Sequence, residues 1–383
     1  MNTTRTYIKP FFIWAIVLTF SIGALVSMTN IFGKSELSSL WKERFLDSQK
    51  MNAYTLKGLK AEISDAVIKD YMLKDLIFNN ASFRNVEWTD TTSEKLTFTN
   101  TIFRSNTFNN VDIEAATFTN VTFEDSEFNN IKFSRSNLVG VKFIRCKFKF
   151  NSSFLNLKNS TVDFEYSTLE NMDFARSNAT LTFRDSTLND VELTDLVFPS
   201  SLTFESSKLK DIDMSRSKLA KLVMENVSGA LASNASTVAE VEVRNSTVGI
   251  GLNQGSLGRA TFVNSQIDAE FQRSKVKEIH INNCKGMEEF SLYKSTVDSL
   301  NISSCTITKF EPLEAIIQNI TIEKSSIVNS DFGDMKAKYF SLTDVTLDQK
   351  IDFTGAHVEH LTTKNVTKLP NLNLTLTNSN VKF

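Results

Sequence analysis

The sequence predicts an all-β solenoid, a chain wound into stacked coils with four short sides, and three observations support this fold class. An eight-residue phrase (apolar, any, large apolar, any, polar, small, any, apolar) recurs fifteen times between residues 81 and 368, at steps of 19 to 21 residues. Inside each repeat, apolar residues recur about every five residues, whereas helices favour steps of three and four and strands favour alternation. The chain also has 31 Phe but only 6 Tyr, and Phe has no hydroxyl that needs a buried partner. Units this small cannot bury their own apolar face, so they must stack.

Stacking turns each position of the phrase into a column along a rod. Parallel strands lie about 4.8 Å apart, so fifteen coils give a rod roughly 70 Å long. The third position is predicted to form the main core column in the first fourteen copies, an aromatic stack that gives way to aliphatic side chains. Its members are Phe83, Phe103, Phe123, Phe143, Phe164, Phe183, Phe204, Met224, Val243, Phe262, Ile281, Ile302, Ile322 and Leu342.

Two segments carry a resemblance to a known family: VTFEDSEFNNIKFSRSNLVGVKFIRCKFKF (121–150) and NMDFARSNATLTFRDSTLNDVELTD (171–195). The sequence resembles the pentapeptide-repeat family, which implies a right-handed four-sided parallel β-helix of about 15 coils over residues 76–368. In that family the central Leu or Phe points inward, and so does a small residue two positions earlier. This chain departs from the pattern at the earlier position, where Val, Ile or Leu alternates with Ser, Ala or Cys. Past Leu222 the five-residue spacing also loosens, although the 20-residue repeat continues.

Charge is nearly balanced, with 42 Lys and Arg against 44 Asp and Glu. Residues 1–75 hold ten basic and seven acidic side chains, a balance of +3, which leaves −5 on the other 308 residues. A field this weak does not predict binding to nucleic acid or to an acidic substrate.

Residues 11–28 (FFIWAIVLTFSIGALVSM) form an uncharged apolar stretch of 18 residues, just long enough to cross a bilayer as one helix. A cleaved signal peptide is the alternative, but the stretch lacks a convincing small-x-small cleavage site near Met28. We therefore expect residues 1–33 to be an N-terminal tail and an uncleaved anchor in the inner or plasma membrane. Basic residues flank both ends, so the charge rule does not fix orientation. A short N-terminal tail usually stays in the cytoplasm, which predicts an extracytoplasmic β-helix.

Residues 34–75 are predicted to be a helical stalk whose end caps the first coil. Trp41, Phe45, Leu56, Leu59 and Ile63 recur at helical steps with charges between them. The alternative is a short coiled coil, which would join copies of the chain through residues 35–75. At the other end, residues 369–383 alternate Leu with polar residues and predict a C-terminal cap or, as an alternative, a dimer contact.

Three stretches inside the rod are predicted to interrupt it. Residues 229–236 (GALASNAS) and 250–258 (IGLNQGSLG) concentrate small residues, which indicates loose turns or a bend. Residues 309–319 (KFEPLEAIIQN) contain Pro312, which predicts an outward bulge.

The residues with the greatest chemical reactivity all have structural interpretations. Cys146, Cys284 and Cys305 occupy the sixth position of the phrase, so we expect small inward thiols rather than a disulfide between the adjacent pair. His357 and His360 lie three residues apart, a spacing that does not put both on one face of a strand. The sequence contains no CxxC, HExxH or Gly-rich phosphate loop. It therefore predicts no catalytic residues, no cofactor and no metal site.

Asparagines fill one column in four successive coils, and we expect a hydrogen-bonded ladder at a corner rather than a ligand site. Asn tolerates a left-handed turn and bonds to an Asn stacked on it. The members of the column are Asn226, Asn245, Asn264 and Asn283.

The function predicted from these features is a non-catalytic, membrane-anchored rod that acts as a structural or protein-interaction scaffold in the cell envelope. Its partners would be the membrane, through residues 11–28, and proteins that the sequence does not identify. One alternative is a carbohydrate-active β-helix enzyme, but the acidic residues are expected to be scattered over all four walls, and the 20-residue coil leaves no long loops to build a cleft. Another is a DNA mimic that binds a topoisomerase, as the family resemblance allows. The −5 charge over 308 residues argues against the dense acidic stripe that mimicry requires.

Overall fold

The computed structural model describes residues 62–65, 67–70, 72–348 and 351–367, together with the backbone of residues 375–376. These residues form forty β-strands, numbered β1 to β40 in chain order. Strands β1 to β20 are Glu62–Ser64, Val67–Lys69, Met72–Lys74, Ile77–Asn79, Ser82–Arg84, Glu87–Thr89, Thr92–Glu94, Thr97–Thr99, Ile102–Arg104, Thr107–Glu114, Thr117–Thr119, Thr122–Glu124, Glu127–Ser134, Asn137–Val139, Val141–Ile144, Lys147–Lys149, Ser152–Ser153, Ser160–Glu165, Thr168–Asp173 and Ala179–Arg184. Strands β21 to β40 are Thr187–Glu192, Ser200–Glu205, Lys208–Asp213, Lys218–Glu225, Ser228–Asn234, Thr237–Arg244, Thr247–Asn253, Ser256–Val263, Gln266–Glu270, Lys275–Asn282, Lys285–Ser291, Thr296–Ser303, Thr306–Glu311, Ile316–Glu323, Ser326–Asp331, Lys336–Thr343, Thr346–Leu347, Ile351–Asp352, His357–Lys364 and Thr375–Leu376.

The strands stack into a parallel β-solenoid of about 15 turns, which confirms the predicted fold class. Paired residues lie about one coil apart along the chain, as Phe108 and Phe128 do. Each coil passes four walls, which we name by the inward column they carry. Wall I carries Phe83, Phe103 and Phe123; wall II, Trp88, Phe108 and Phe128; wall III, Leu73, Ile113 and Phe133; wall IV, Phe78, Phe98 and Phe118. The right-handed winding stays a prediction from the family resemblance.

The core column of wall I is built as predicted. The rings of Phe83, Phe103, Phe123 and Phe143 stack nearly parallel, with centroids 4.7, 4.6 and 4.8 Å apart. The stack continues through Phe164, Phe183 and Phe204 at 5.0 to 5.2 Å. Each ring is almost fully buried, and rings of neighbouring walls meet edge to face. The rings fill the inside of the coil, so the core is a solid column.

The corners explain why the five-residue spacing loosens past Leu222. Between Asp65 and Arg145, nearly every fifth residue has a positive φ close to 50–60°, which gives four left-handed corners per coil. Asn and Asp predominate there because they tolerate this conformation best. From Tyr166 to Arg216 there are three such residues per coil, and from Asn226 to Asp334 only two per coil apart from Gly. At the remaining corners the chain continues as a strand. Those corners no longer need a residue with positive φ, so the five-residue spacing is no longer required there.

The small sixth position of the phrase forms a buried ladder of side-chain hydrogen bonds. The backbone N–H of Cys146 donates to Ser167 Oγ (3.1 Å), and that of Ser167 donates to Ser186 Oγ (3.1 Å). Farther along, the N–H of Cys284 donates to Cys305 Sγ at 3.4 Å. All three cysteines are free and buried, which confirms the predicted thiols. Burial raises the pKa of Cys146 to about 12, so this thiol stays protonated.

Several predictions about the ends of the rod are corrected or lie outside the described residues. The predicted helix of residues 34–75 is wrong where it can be compared: Glu62–Ser64, Val67–Lys69 and Met72–Lys74 are strands paired with the next coil. The five-residue spacing already begins there, with Ile68 and Leu73 inward, and it overrides the weaker helical pattern. Thr375–Leu376 pairs with β39, and the rest of the predicted C-terminal cap lies outside the described residues.

The predicted membrane segment, residues 11–28, lies outside the described residues. Within the ranges that the structure covers, no helix has the length and apolar character to cross a membrane.

None of the three predicted interruptions breaks the solenoid. Residues 229–236 and 250–258 fall mainly in strands β25, β27 and β28, which pair with their neighbours over most of their length. Pro312 does not bulge outward. It occupies a tight corner in which the Ala315 N–H donates to the Pro312 carbonyl at 3.0 Å.

Candidate interaction groove

A groove crosses walls II and III where two successive strands carry almost no outward side chains. Its floor consists of Ala230 and Ala232 on β25 and of Gly249 and Gly251 on β27. Leu231 and Ile250, which alternate with them, point into the core. The groove is open to solvent and has a volume of about 1020 Å³. This floor is made of the two small-residue stretches that the sequence suggested were loose turns.

The groove also depends on a change in how the chain turns the corner between walls II and III. In β23, Lys210 and Asp211 form this corner, and Asp211 has a φ of 54°. The next strand, β25, has only Ala230 at the same place, so the pairing register shifts by one residue. The sequence records the shortening as three successive 19-residue steps, from Leu222 to Ile279. The coil that contains β25 is one residue shorter at this corner, so the corner is flatter. The surface of β25 there lies below the surface of β23.

Glycine is required at one point of the floor and leaves open space at another. A Cβ atom on Gly229, whose φ is +119°, would lie 1.8 Å from the carbonyl oxygen of Leu209. A Cβ atom on Gly251 would meet nothing closer than the Asn253 amide nitrogen, at 3.8 Å. Gly229 therefore permits the close approach of β25 to β23, whereas the absence of a side chain at Gly251 only deepens the groove.

Both rims of the groove are acidic. Asp211 and Asp213 on β23 form one rim, and Asp268 and Glu270 on β29 begin the other. The charged residues that line the groove are six carboxylates and one arginine, a balance of −5: Asp211, Asp213, Asp268, Glu270, Glu288, Glu289 and Arg273. Among the described residues only Glu289 of these six forms an ion pair, with Lys309 Nζ at 3.0 Å.

Two carboxylates on wall I, in contrast, form ion pairs with basic side chains of the same chain. Glu124 there accepts from Arg104 Nε at 2.8 Å and from Arg145 Nη2 at 2.6 Å, and hydrogen bonds from both guanidinium groups lower its pKa. Glu242 pairs with Lys221 Nζ at 3.0 Å, and its pKa is likewise lowered. Glu124 and Glu242 thus lie beside basic side chains of the same chain, whereas the groove carboxylates other than Glu289 form no ion pair among the described residues.

An acidic column extends from the groove along wall III. Asp173, Glu192 and Asp213 lie in register on three successive strands and point outward. Partial burial and the neighbouring carboxylates of Asp173, Asp213 and Asp190 raise the pKa of Glu192. The column then passes over Ala232 and Gly251 to Glu270.

This arrangement corrects one expectation from the sequence: coils as short as these do leave a cleft, and six carboxylates line it. Net charge does not reveal such a local group, because paired and unpaired carboxylates contribute equally to the sum. Two signals were present in the sequence, the small-residue stretches and the run of 19-residue steps, but neither showed that acidic residues of other coils would flank them.

The other residues singled out in the sequence lie away from this groove. The predicted asparagine ladder is confirmed for three of its four members: Asn264 Nδ2 donates to Asn245 Oδ1 at 3.3 Å, and Asn283 Nδ2 donates to Asn264 Oδ1 at 2.7 Å. His280 Nε2 lies 3.5 Å from Glu278 Oε2, and His360 stacks on Tyr339 with ring centroids 4.9 Å apart. In the part of the chain that the structure covers, no group of three or more His, Cys, Asp or Glu side chains could hold a metal ion.

Comparison with known protein families supports the repeat assignment. Residues 112–149 match the family model described as pentapeptide repeats, in eight copies, which confirms the resemblance. No curated protein matches the sequence.

Two solved structures are among those to which the chain is similar. A trypsin-treated form of QnrB1, a plasmid-mediated fluoroquinolone resistance protein, is 14% identical, and the match covers 40% of this chain and 92% of that chain with a TM-score of 0.21. HetL, a pentapeptide repeat protein involved in heterocyst differentiation regulation from the cyanobacterium Nostoc sp. strain PCC 7120, is 9% identical; that match covers 60% and 92% with a TM-score of 0.20. Superpositions at these TM-scores carry no argument about function.

Proposed function

We propose that this pentapeptide-repeat protein is a non-catalytic scaffold, tethered to the inner or plasma membrane by residues 11–28, that holds a protein partner in the groove. The groove itself is the observation that carries the proposal. Its floor is backbone of two paired strands and its rims are charged side chains, an arrangement suited to binding rather than to bond cleavage. The wound coils above and below keep it in one shape, so a partner meets a preformed surface.

Site-specific crosslinking tests the scaffold function. A photo-crosslinking amino acid replaces Asn234, an exposed residue that lines the groove at the end of β25, in the full-length chain, and a matched variant carries it at Thr203 on wall I. We expect irradiation of cells to give a discrete adduct of higher mass from position 234 and none from position 203. Equal labelling at both positions, or no adduct at either, would contradict the proposal.

The membrane tether rests on the sequence of residues 11–28 and has its own test. We expect the protein to sediment with membranes and to resist extraction by high salt. In cells whose outer layer is permeable, added protease should cleave the solenoid before the cells are lysed, because the solenoid then lies on the extracytoplasmic side. Protection of the solenoid until the cytoplasmic membrane is broken would reverse the orientation.

Homo-oligomers through residues 35–75 or 369–383 would appear as a mass larger than one chain in detergent.

A second candidate function is hydrolysis of a polysaccharide, because the groove gathers several carboxylates and Arg273 in one cleft. Glycosidases need a protonated carboxyl beside an ionised one. The candidate pair is the rim residue Asp213 and Glu192, which lies outside the groove on the adjacent strand and has a raised pKa. The rim carboxylates are partly or fully exposed, whereas a general acid is usually held in an apolar pocket. Release of reducing ends from a polysaccharide that disappears in Glu192→Gln would favour the enzyme over the scaffold.

The DNA-mimic hypothesis also acquires a specific surface, the acidic column on wall III. It predicts that the protein binds a type II topoisomerase and that DNA competes for the complex. Two results would count against mimicry: weakening of the complex by substitutions on wall I, such as at Thr203, or persistence of the complex in the presence of DNA.

A further inference from the structure

We propose that the groove binds an extended, lysine- or arginine-rich segment of the partner protein, an inference that rests on the proposed scaffold function. The length of the groove supports an extended ligand. Strand β25 spans seven residues, Ser228–Asn234, and at about 3.3 Å per residue the floor is roughly 23 Å long. An extended peptide of six or seven residues has the same length.

The width of the groove fits one extended chain lying along the strands. Strands β23 and β29 are three coil steps apart, so their backbones are separated by about 14 Å. Ala230, Ala232, Gly249 and Gly251 leave the two strands between them almost bare, so a peptide backbone can approach the floor closely. Side chains of an extended peptide alternate in direction. If the peptide is oriented with its side chains parallel to the floor, successive side chains point toward opposite rims.

The rims supply the charge that selects the ligand. Asp211 and Asp213 on one side and Asp268 and Glu270 on the other have no ion-pair partner among the described residues. Some other carboxylates of the rod lie beside a cation of the same chain, as Glu124 and Asp125 lie beside Arg145. Basic side chains of a ligand would make these contacts at the groove. Charge complementarity of this kind increases the association rate and selects the partner.

The test uses the full-length protein in non-ionic detergent and a fluorescein-labelled hexa-arginine peptide, with binding followed by fluorescence anisotropy. The double variant Asp213→Asn/Glu270→Gln removes one carboxylate from each rim. Its control, Asp298→Asn/Glu359→Gln, removes the same charge from exposed positions of β32 and β39, which belong to the other sheet. A third variant, Gly251→Leu, fills the floor without changing any charge.

We expect the rim variant to weaken binding roughly two- to thirtyfold, as the loss of two exposed ion pairs implies. The control should bind like the wild type, and Gly251→Leu should weaken binding although its charge is unchanged. Equal weakening by the rim and control variants, or normal binding by Gly251→Leu, would overturn the proposal. If hexa-arginine does not bind while position 234 still crosslinks to a partner, only the basic ligand is wrong; if both fail, the scaffold function is wrong as well.

Discussion

Ser186 shows how one buried polar side chain serves the backbone of two coils. Its hydroxyl accepts the N–H of Ser167 at 3.1 Å and donates to the carbonyl oxygen of Arg184 at 2.8 Å. The sheet ladder does not satisfy this N–H group at the corner, and a buried N–H group without a partner is costly. The requirement for a small hydrogen-bonding side chain explains why Ser and Cys recur at the sixth position of the phrase.

Replacing Ser186 with Ala should lower the free energy of unfolding by about 1–3 kcal/mol, because the buried N–H of Ser167 loses its acceptor. Ser186→Cys should cost less, since Cys146 occupies the same column. Urea unfolding followed by circular dichroism measures both, with Ser201→Ala on the outer surface of wall I as the control. A Ser186→Ala loss no larger than that of Ser201→Ala would show that the ladder adds nothing to stability.

Glu192 should destabilise the folded protein at neutral pH. Its folded-state pKa is raised above the unfolded value, so its contribution is most favourable at pH values below the unfolded pKa and is lost as the pH rises through the folded pKa. Glu192→Gln should therefore raise the free energy of unfolding at pH 7 by roughly 0.2–0.5 kcal/mol, the range for an exposed interaction. The gain should disappear near pH 4 in urea titrations at both pH values. A gain of the same size at pH 4 would rule out repulsion between carboxylates as its source.

At the scale of the element, β25 and β27 depart from the rest of wall II and wall III. A residue is missing at their corner, and glycine and alanine replace the outward side chains of the neighbouring strands. Their inward residues, including Leu231, Val248 and Ile250, remain fully buried. The strands thus keep the core intact while the outer surface changes, which allows a groove to form without breaking the solenoid.

Two glycines of these strands should respond in opposite ways to the same substitution. Gly229→Ala should lower the free energy of unfolding by about 2 kcal/mol or more, because its Cβ would collide with the Leu209 carbonyl at a φ that favours glycine. Gly251→Ala should leave stability unchanged or raise it by about 0.5–1 kcal/mol, since a methyl fits and the unfolded chain loses freedom. Thermal unfolding of the two variants gives the comparison. Equal destabilisation would mean that the close approach of β25 to β23 is wrong.

At the scale of the whole molecule, the solenoid is one continuous ladder. Each strand pairs only with strands one coil away, so stability depends on contacts between neighbouring coils. The continuous aromatic stack of wall I runs from Phe83 to Phe204, and apart from Phe262 the side chains that follow it in the same column are not aromatic. The ends of such an array have a neighbour on one side only.

Hydrogen exchange of the full-length protein should therefore show strongest protection in the coils between residues 121 and 210, with protection falling toward both ends. Residues 229–258 should exchange as slowly as the coils that flank them, because β25, β27 and β28 are paired on both sides. Mass spectrometry of peptides along the chain measures this profile. Fast exchange confined to residues 229–258 would instead support the loose turns that the sequence predicted there.

The sequence by itself determined the solenoid, its coil length, the phenylalanine column and the inward cysteines. Each of these depends on a period along the chain, and a period fixes which side chains stack wherever the coils are placed. The groove and its unpaired charge were decided only by the tertiary structure. Asp213, Ala232, Gly251 and Glu270 are separated by about 19 residues each and become neighbours only when four coils stack in register. Whether a carboxylate finds an arginine one coil away, as Glu124 does and Asp213 does not, depends on that register and not on the number of charges in the chain.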